Sequence, residues 1–243
     1  MPEYGFEQFK RDLLDGVSAA ASGVSTAARE AADAAKGAAD SVMRIKDFRE
    51  VGRDLFVSGA VTSHGGNLSV SDGSRIWITR TAAQLAHIHP SDVVQVPWQA
   101  SDADVAAAAS MELKVHRAMY HALTERLTKQ GEDFGVRAVL HSHSLYTVFQ
   151  SLSRDALTPL DSEGKLVLGA AVPVLSPQQT VAADEVATMM AELVSGGGSL
   201  AVIRGHGPFA MADSLQNALR LVSCLEYSAH ILTLREQAGG RVQ

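Results

Sequence analysis

The 243-residue chain has a single cysteine, Cys224, so no intrachain disulfide framework can form, which fits a reducing compartment. Basic residues are outnumbered: 21 Lys and Arg stand against 27 Asp and Glu, for a formal net charge of -6. Without a basic field, a nucleic-acid polyanion is not an expected partner. No apolar run approaches the ~18 residues of a membrane span, and the first residues lack the contiguous apolar core of a signal peptide. The expectation is a soluble cytoplasmic protein with neither a membrane nor a nucleic acid as partner. Internal repeats are absent, as is a strict strand–helix alternation. What remains is ordinary for a globular α/β chain: 46% hydrophobic and 20% charged residues, with length enough for one large domain and a substantial core.

Residues 1–43 differ in texture from everything after them. They are alanine-rich, carry mixed charges such as Arg29, Glu30, Asp33, Lys36 and Asp40, and are interrupted by Gly16, Gly23 and Gly37. Val17, Val24, Ala31, Ala38 and Ile45 recur every seven residues, the period of a narrow helical stripe. Each glycine costs about 1 kcal/mol against alanine in a helix, and an alanine stripe buries little area. The segment reads as an accessory helical arm. Packing on its own oligomer is the preferred role, with docking to a larger assembly as the alternative.

From residue 44 to 243 the pattern is that of a compact α/β domain. Arg49 to Phe56 forms an amphipathic helix, and strands are expected at Leu68–Val70, Arg75–Thr79 and Asp92–Val96. A helix should begin near Ser110 and run to about Lys129, with another from Leu145 to Leu152. Thr158 to Gly169 reads as a weakly patterned loop. The strand Ala171–Leu175, a helix Ala182–Val194 and the run Leu200-Ala201-Val202-Ile203 follow. Ser214 to Glu236 reads as a long closing helix, with no element assigned to the residues between His206 and Ser214.

The stretch Val139-Leu140-His141-Ser142-His143 carries the most chemistry. Apolar β-formers deliver two histidines at i and i+2, and in a strand such side chains leave the same face. His206 follows a separate apolar run, in Arg204-Gly205-His206-Gly207. Three neutral imidazoles from two strand ends, with a fourth position open, describe a catalytic zinc-type site rather than a closed structural one. Zn2+ is the expected ion, with Mn2+ or Co2+ as other divalent choices.

Further segments line up with these. His64-Gly65-Gly66-Asn67-Leu68-Ser69 is similar to a G-T-x-G-N-[IVF]-S loop, and Ile78-Thr79-Arg80-Thr81-Ala82 stands where a T-P-[ST]-G turn is usual. Ser110-Met111-Glu112 with His116 matches [ST]-[ST]-E-x-x-x-H, Val139 to His143 matches A-V-[VL]-H-x-H, and Arg204 to Gly207 matches an N-H-G segment. In this order and spacing the motifs resemble the class II aldolases of the fuculose-1-phosphate aldolase and adducin-head family, over roughly residues 44 to 236. The resemblance implies a three-layer α/β fold with a central, mainly antiparallel sheet flanked by helices. It implies a homotetramer with active sites between subunits. His141, His143 and His206 become the metal ligands and Glu112 the acid and base. His64, Gly66, Asn67, Thr81, Ala82 and Ser110 fall around a substrate phosphate. His64, Ala82 and Met111 depart from the usual threonine, glycine and second hydroxyl residue.

The implied reaction is reversible cleavage of a short ketose 1-phosphate to dihydroxyacetone phosphate and an aldehyde, through an enediolate that the metal stabilises. A sugar-phosphate 4-epimerase or sugar-acid phosphate decarboxylase would use the same groups, and an adducin-like interaction module would use none. No glycine-flanked lysine motif suggests a Schiff-base nucleophile. A C-terminal tyrosine, the family's usual proton donor to the aldehyde oxygen, is missing from the last residues, Leu234 to Gln243.

Plainer roles compete at several positions. Glu112 could serve as a capping or dipole residue at a helix start, with Ser110 as its N-cap. His116 is expected to orient or pack its helix. His87, His89 and His121 read as solvated, and His230 as a core or interface residue. Asp161 and Glu163 read as loop residues, either solvated or reaching a neighbour's site. Deleting residues 1–43 should lower stability or higher-order association more than turnover per site. A truncated protein that keeps its assembly and metal but is catalytically dead would place the arm at the active site.

Overall fold

The computed structural model describes residues 44–99 and 108–239, so the arm expected over residues 1–43 lies outside the described residues. Helix α1 (residues 44–57) comes first, and Phe48, Val51 and Leu55 form its fully buried stripe. Strands β1 (Asn67–Ser71), β2 (Arg75–Thr79) and β3 (Val93–Pro97) follow, then helix α2 (Leu113–Gln130) and strand β4 (Arg137–His141). Next come α3 (Leu145–Ser151), the two-residue β5 (Ala156–Leu157), α4 (Ser162–Leu168) and β6 (Val172–Leu175). The last are α5 (Asp184–Ser195), β7 (Leu200–Ile203), β8 (Gly207–Ala212) and α6 (Leu215–Gln237).

The eight strands form one sheet in the order β3-β2-β1-β4-β8-β7-β6-β5. Every neighbouring pair is antiparallel except β6 with β7. Side chains alternate across this sheet and build a core on each face. Leu68, Val70, Leu140 and Val202 meet Leu215, Val222 and Leu225 of α6, together with Phe48 and Leu55 of α1. Ile76, Ile78, Val139, Ala201 and Phe209 meet Val115, Met119 and Leu123 of α2 and Val186 and Met190 of α5. The expected three-layer α/β arrangement with a mainly antiparallel central sheet is the one observed.

The sequence reading misses the short strand β5 and the first turn of α1, and three further departures bear on the site. Strand β8, in a stretch to which the sequence reading assigned no element, lies at the centre of the sheet although Pro208 cannot donate to a ladder. Pro208 sits at the strand's start, and its carbonyl accepts the Ser142 amide at 3.3 Å. The loop expected over Thr158 to Gly169 contains helix α4, too short to show a periodic pattern. Its N-cap is Asp161, whose carboxylate accepts the Gly164 amide at 2.7 Å and the Ser228 hydroxyl at 2.6 Å. Asp161 is therefore a structural cap rather than a solvated loop residue. Helix α2 starts at Leu113 rather than near Ser110, because the Ser110 amide donates to Thr79 on β2 at 3.1 Å and holds the chain off the helix.

Among the histidines, His87 and His89 are exposed as expected. His121 is instead half-buried and packs on Trp98, with ring centroids 4.6 Å apart. His230 stacks on Tyr146 at 3.8 Å.

Gly207 opens β8 with φ 146°, and a Cβ there would lie 2.0 Å from the Ser142 carbonyl oxygen. The three nearest atoms, from Ser142 and His143, are all backbone, so nothing can yield cheaply. Gly207→Ala should destabilise the metal-free protein by on the order of 3 kcal/mol, measured by thermal or urea denaturation with chelator present. A melting temperature equal to that of the parent would contradict this packing.

Candidate metal centre

Strand β4 ends at His141, and the register pairs it with Asn67 on one side and Phe209 on the other. Its ring stacks on Phe209 at 4.0 Å and is 1% exposed. Nδ1 donates to the Pro208 carbonyl at 3.0 Å, which leaves the Nε2 lone pair unprotonated. His143 lies just past the strand, where its amide donates to the Ala60 carbonyl at 3.1 Å. The tight turn between β7 and β8 supplies His206.

These three residues converge. His141 Nε2 lies 3.1 Å from His143 Nε2 and 3.2 Å from His206 Nε2, and all three residues offer a ligand atom within 4.8 Å of one another. Nitrogen ligands on one tetrahedral zinc ion are about 3.3 Å apart, given bonds of ~2.0–2.1 Å. Burial pushes His141 well below the ordinary imidazole range, with the neighbouring imidazoles adding to the effect. Burial also lowers His143, and it lowers His206 to about 4. At neutral pH the rings are uncharged and present nitrogen lone pairs to one small space, which suits a divalent cation that takes imidazole ligands.

The turn carrying His206 is pinned by a residue that the sequence reading did not single out. Arg204 donates to the Ser176 hydroxyl at 2.7 Å, the Ser151 carbonyl at 2.6 Å and the Asp155 carboxylate at 2.6 Å. The Gly205 amide adds a bond to the Ser151 hydroxyl at 2.9 Å.

Glu112 lines the same cavity as the three histidines. It is 5% exposed and occupies the N-cap position of α2, yet its side chain makes no capping bond. Instead Oε1 accepts the Ala182 amide at 2.9 Å, while Oε2 is buried without a partner. The capping-box role is thus excluded. Burial raises the Glu112 pKa above the ordinary carboxylate value, outweighing the lowering by the Ala182 amide and Lys114. The Ala182 contact could not be read from the sequence, because it joins residues 70 apart through a backbone turned to φ 49°.

His64, Gly66, Asn67, Thr81, Ala82 and Ser110 line this cavity of about 220 Å³, together with Arg80, Met111 and Val181. Gly66 has φ 77°, and a Cβ there would lie 2.7 Å from the His141 carbonyl oxygen, so the glycine is required. Ala82 adopts φ 57°, the left-handed conformation that favours glycine. The amides of Gly66, Thr81 and Ala82 donate to no acceptor among the described residues. Thr81 has its hydroxyl engaged, donating to the Ala109 carbonyl and accepting the Met111 amide, both at 3.1 Å. It builds the loop rather than offering a free hydroxyl. Ser110 accepts the Glu112 amide at 3.2 Å, so its own proton is left over, and it is not the helix N-cap. His64 is exposed and held by Ser63 at 2.9 Å and Gln84 at 3.1 Å. Asp161 and Glu163 do not line this cavity.

A model of the class II aldolase and adducin N-terminal domain matches residues 46–233, and the chain belongs to that family. The structure of L-fuculose-1-phosphate aldolase from Thermus thermophilus superposes with a TM-score of 0.70 at 32% identity, over 82% of this chain and 97% of that one. An L-fuculose phosphate aldolase of Methanocaldococcus jannaschii is 23% identical over 191 residues, 78% of this chain and 95% of its own. A methylthioribulose-1-phosphate dehydratase of Gluconobacter oxydans is 28% identical over 190 residues, 73% of this chain and 85% of its own.

The raised pKa of Glu112 has a consequence for stability. Above about pH 4.5 the unfolded chain releases this proton while the folded chain retains it, so stability falls as pH rises through that interval. Glu112→Gln, which cannot ionise, should melt higher than the parent at pH 8 in the metal-stripped state. The gain should vanish as pH falls toward 4.5. A lower melting temperature at pH 8 would show that the carboxylate is stabilised rather than strained by its surroundings.

Proposed function

We propose that this member of the class II aldolase and adducin N-terminal domain family is a metal-dependent aldolase. Its substrate would be a short ketose 1-phosphate of the fuculose, ribulose or 5-deoxyribulose type, cleaved reversibly to dihydroxyacetone phosphate and an aldehyde. One observation carries the reading: a single cavity joins three convergent imidazole nitrogens to a buried carboxyl of raised pKa.

His141, His143 and His206 would hold the divalent ion. Bound there, such an ion supplies Lewis-acid stabilisation to the oxygen charge that develops as the carbon–carbon bond breaks. Glu112 holds the proton that the donor carbon gains in cleavage and loses in synthesis. A carboxyl whose pKa is raised toward neutrality performs both transfers, and such a group contributes ~10² to 10⁴ in rate. The Ala182 amide fixes its orientation. The amides of Gly66, Thr81 and Ala82, the Asn67 amide group and the Ser110 hydroxyl bind the phosphate. Arg80 adds cationic character at the rim, where Met111 can give no hydrogen bond.

Among the described residues no tyrosine lines the cavity, and the exposed apolar Met111 and Val181 stand at its edge. A neighbouring copy would complete the site on the aldehyde side, in keeping with a homotetramer whose active sites lie between subunits. The similarity to the dehydratase favours a second reading on the same groups. Proton removal by Glu112 would then be followed by loss of water rather than cleavage of a carbon–carbon bond. A 4-epimerase or decarboxylase would likewise rely on the histidines and Glu112. An adducin-like interaction module has no use for three convergent imidazoles.

The metal-loaded protein should release dihydroxyacetone phosphate from at least one member of a ketose 1-phosphate panel. Chelator should abolish the activity and Zn2+, Mn2+ or Co2+ restore it. His206→Ala should lose stoichiometric metal and turnover together. Glu112→Gln should keep the metal but lose at least about a hundredfold in deuterium exchange at the donor carbon of dihydroxyacetone phosphate. Full metal occupancy in His206→Ala would refute the ligand assignment, and near-parental exchange in Glu112→Gln would place the base elsewhere. Loss of water from the panel without any dihydroxyacetone phosphate would select the dehydratase reading.

A further inference from the structure

His116 stands one turn after Glu112 on α2 and is fully buried, yet neither of its ring nitrogens is idle. Nε2 lies 2.6 Å from Asn67 Oδ1, and Nδ1 lies 2.6 Å from the Ser69 hydroxyl. The same hydroxyl is 2.8 Å from the Tyr120 hydroxyl. Asn67 and Ser69 leave one face of β1 at i and i+2, and His116 and Tyr120 leave one face of α2 at i and i+4. Helix and strand thus interlock through polar groups in the middle of an apolar layer that includes Met119, Val139 and Phe209.

The protons in this chain can be assigned. Burial holds His116 neutral, pushing its pKa down to about 3, so one ring nitrogen donates and the other accepts. Asn67 Oδ1 can only accept, so Nε2 carries the hydrogen. Nδ1 must then accept from Ser69, which leaves the Ser69 oxygen to accept from Tyr120 at 2.8 Å, a shorter contact for the tyrosine proton than its other acceptor, the Arg137 carbonyl at 3.5 Å. With Oδ1 engaged, the Asn67 amide nitrogen is the part of the side chain that remains, and it has no acceptor among the described residues.

We propose that His116 is a positioning residue that fixes the rotation of the Asn67 side-chain amide, so that its NH2 group, and not its oxygen, meets the anionic end of the substrate. An amide rotated by 180° would present an oxygen lone pair to a phosphate and repel it. Nothing in an asparagine favours one rotation over the other. The relay from Tyr120 through Ser69 and His116 supplies that preference from within the core, where no water can compete. This inference rests on the reading of the Asn67 end of the cavity as the phosphate site.

The test compares His116→Gln with His116→Asn in the full-length, metal-loaded protein, using inorganic phosphate as competitive probe. A glutamine amide nitrogen reaches about where Nε2 stood and keeps the donor to Asn67, whereas an asparagine reaches only the Nδ1 position. His116→Asn should raise the phosphate inhibition constant and KM about tenfold, the scale of one hydrogen bond to a charged group. His116→Gln should change them less than about threefold, and kcat and metal stoichiometry should hold in both. Equal losses in the two variants, or losses confined to melting temperature, would reduce His116 to packing and overturn the proposal. Nitrogen-15 NMR of the unsubstituted protein reads the tautomer directly. An Nε2–H imidazole is expected, and an Nδ1–H imidazole would mean that the Asn67 amide is turned the other way. Asn67→Ala separates the two readings: unchanged phosphate inhibition in that variant, beside an Nε2–H imidazole, would overturn the phosphate site while leaving the relay intact.

Discussion

Three uncharged imidazoles converge, with His141 Nε2 within hydrogen-bond distance of both of the other rings, and the centre of the fold exists to keep them there. Their lone pairs repel unless a cation or a shared proton lies between them, so rigid supports must fix each ring. The β4–β8 pairing supplies most of that rigidity. Phe209 stacks on His141, Pro208 takes the His141 Nδ1 proton, and Gly207 lets its strand approach the Ser142 carbonyl. Arg204 clamps the turn bearing His206 to two other elements at once. The sheet order places these contacts centrally, where both faces are covered and strand ends have least freedom.

Glu112 shows a contest between two electrostatic effects. A position at a helix start favours the ionised carboxylate. Burial favours the neutral acid, and here burial prevails because one carboxylate oxygen has no hydrogen-bond partner among the described residues. The Ala182 amide only moderates the result. The chain retains a group that would be more comfortable as glutamine, which is understandable if its proton is needed. Polar groups elsewhere in the core are treated differently: both ring nitrogens of His116 and the Ser69 and Tyr120 hydroxyls have partners, and the Asn67 oxygen is engaged as well.

The end of the cavity proposed to take the phosphate departs in sequence from the family's motif. Ala82 takes the left-handed conformation that the usual glycine would adopt without strain. Thr81 spends its hydroxyl on the loop, which leaves the amides of Thr81 and Ala82 as the free donors among the described residues there. The hydroxyl-rich motif therefore has a shape to preserve as well as groups to present.

Residue types and spacings determined a good deal. Two histidines near the end of one apolar strand and a third after another singled out the three that converge, because a β-strand's two-residue period and its ends are local properties. Alternating and helical periodicity fixed most of the strands, α2, α5 and α6, and the resemblance supplied the layer arrangement. Strand β8 and helix α4 were not legible: Pro208 is tolerated only because of where β8 starts, and α4 depends on Asp161 meeting Ser228, 67 residues away. Tertiary structure alone decided that Glu112 points at Ala182 rather than at its own helix, that Arg204 anchors His206, and that His116 faces Asn67. Each of these depends on which groups lie opposite across the sheet, and a local pattern carries no information about a partner that folding brings from a distant part of the chain.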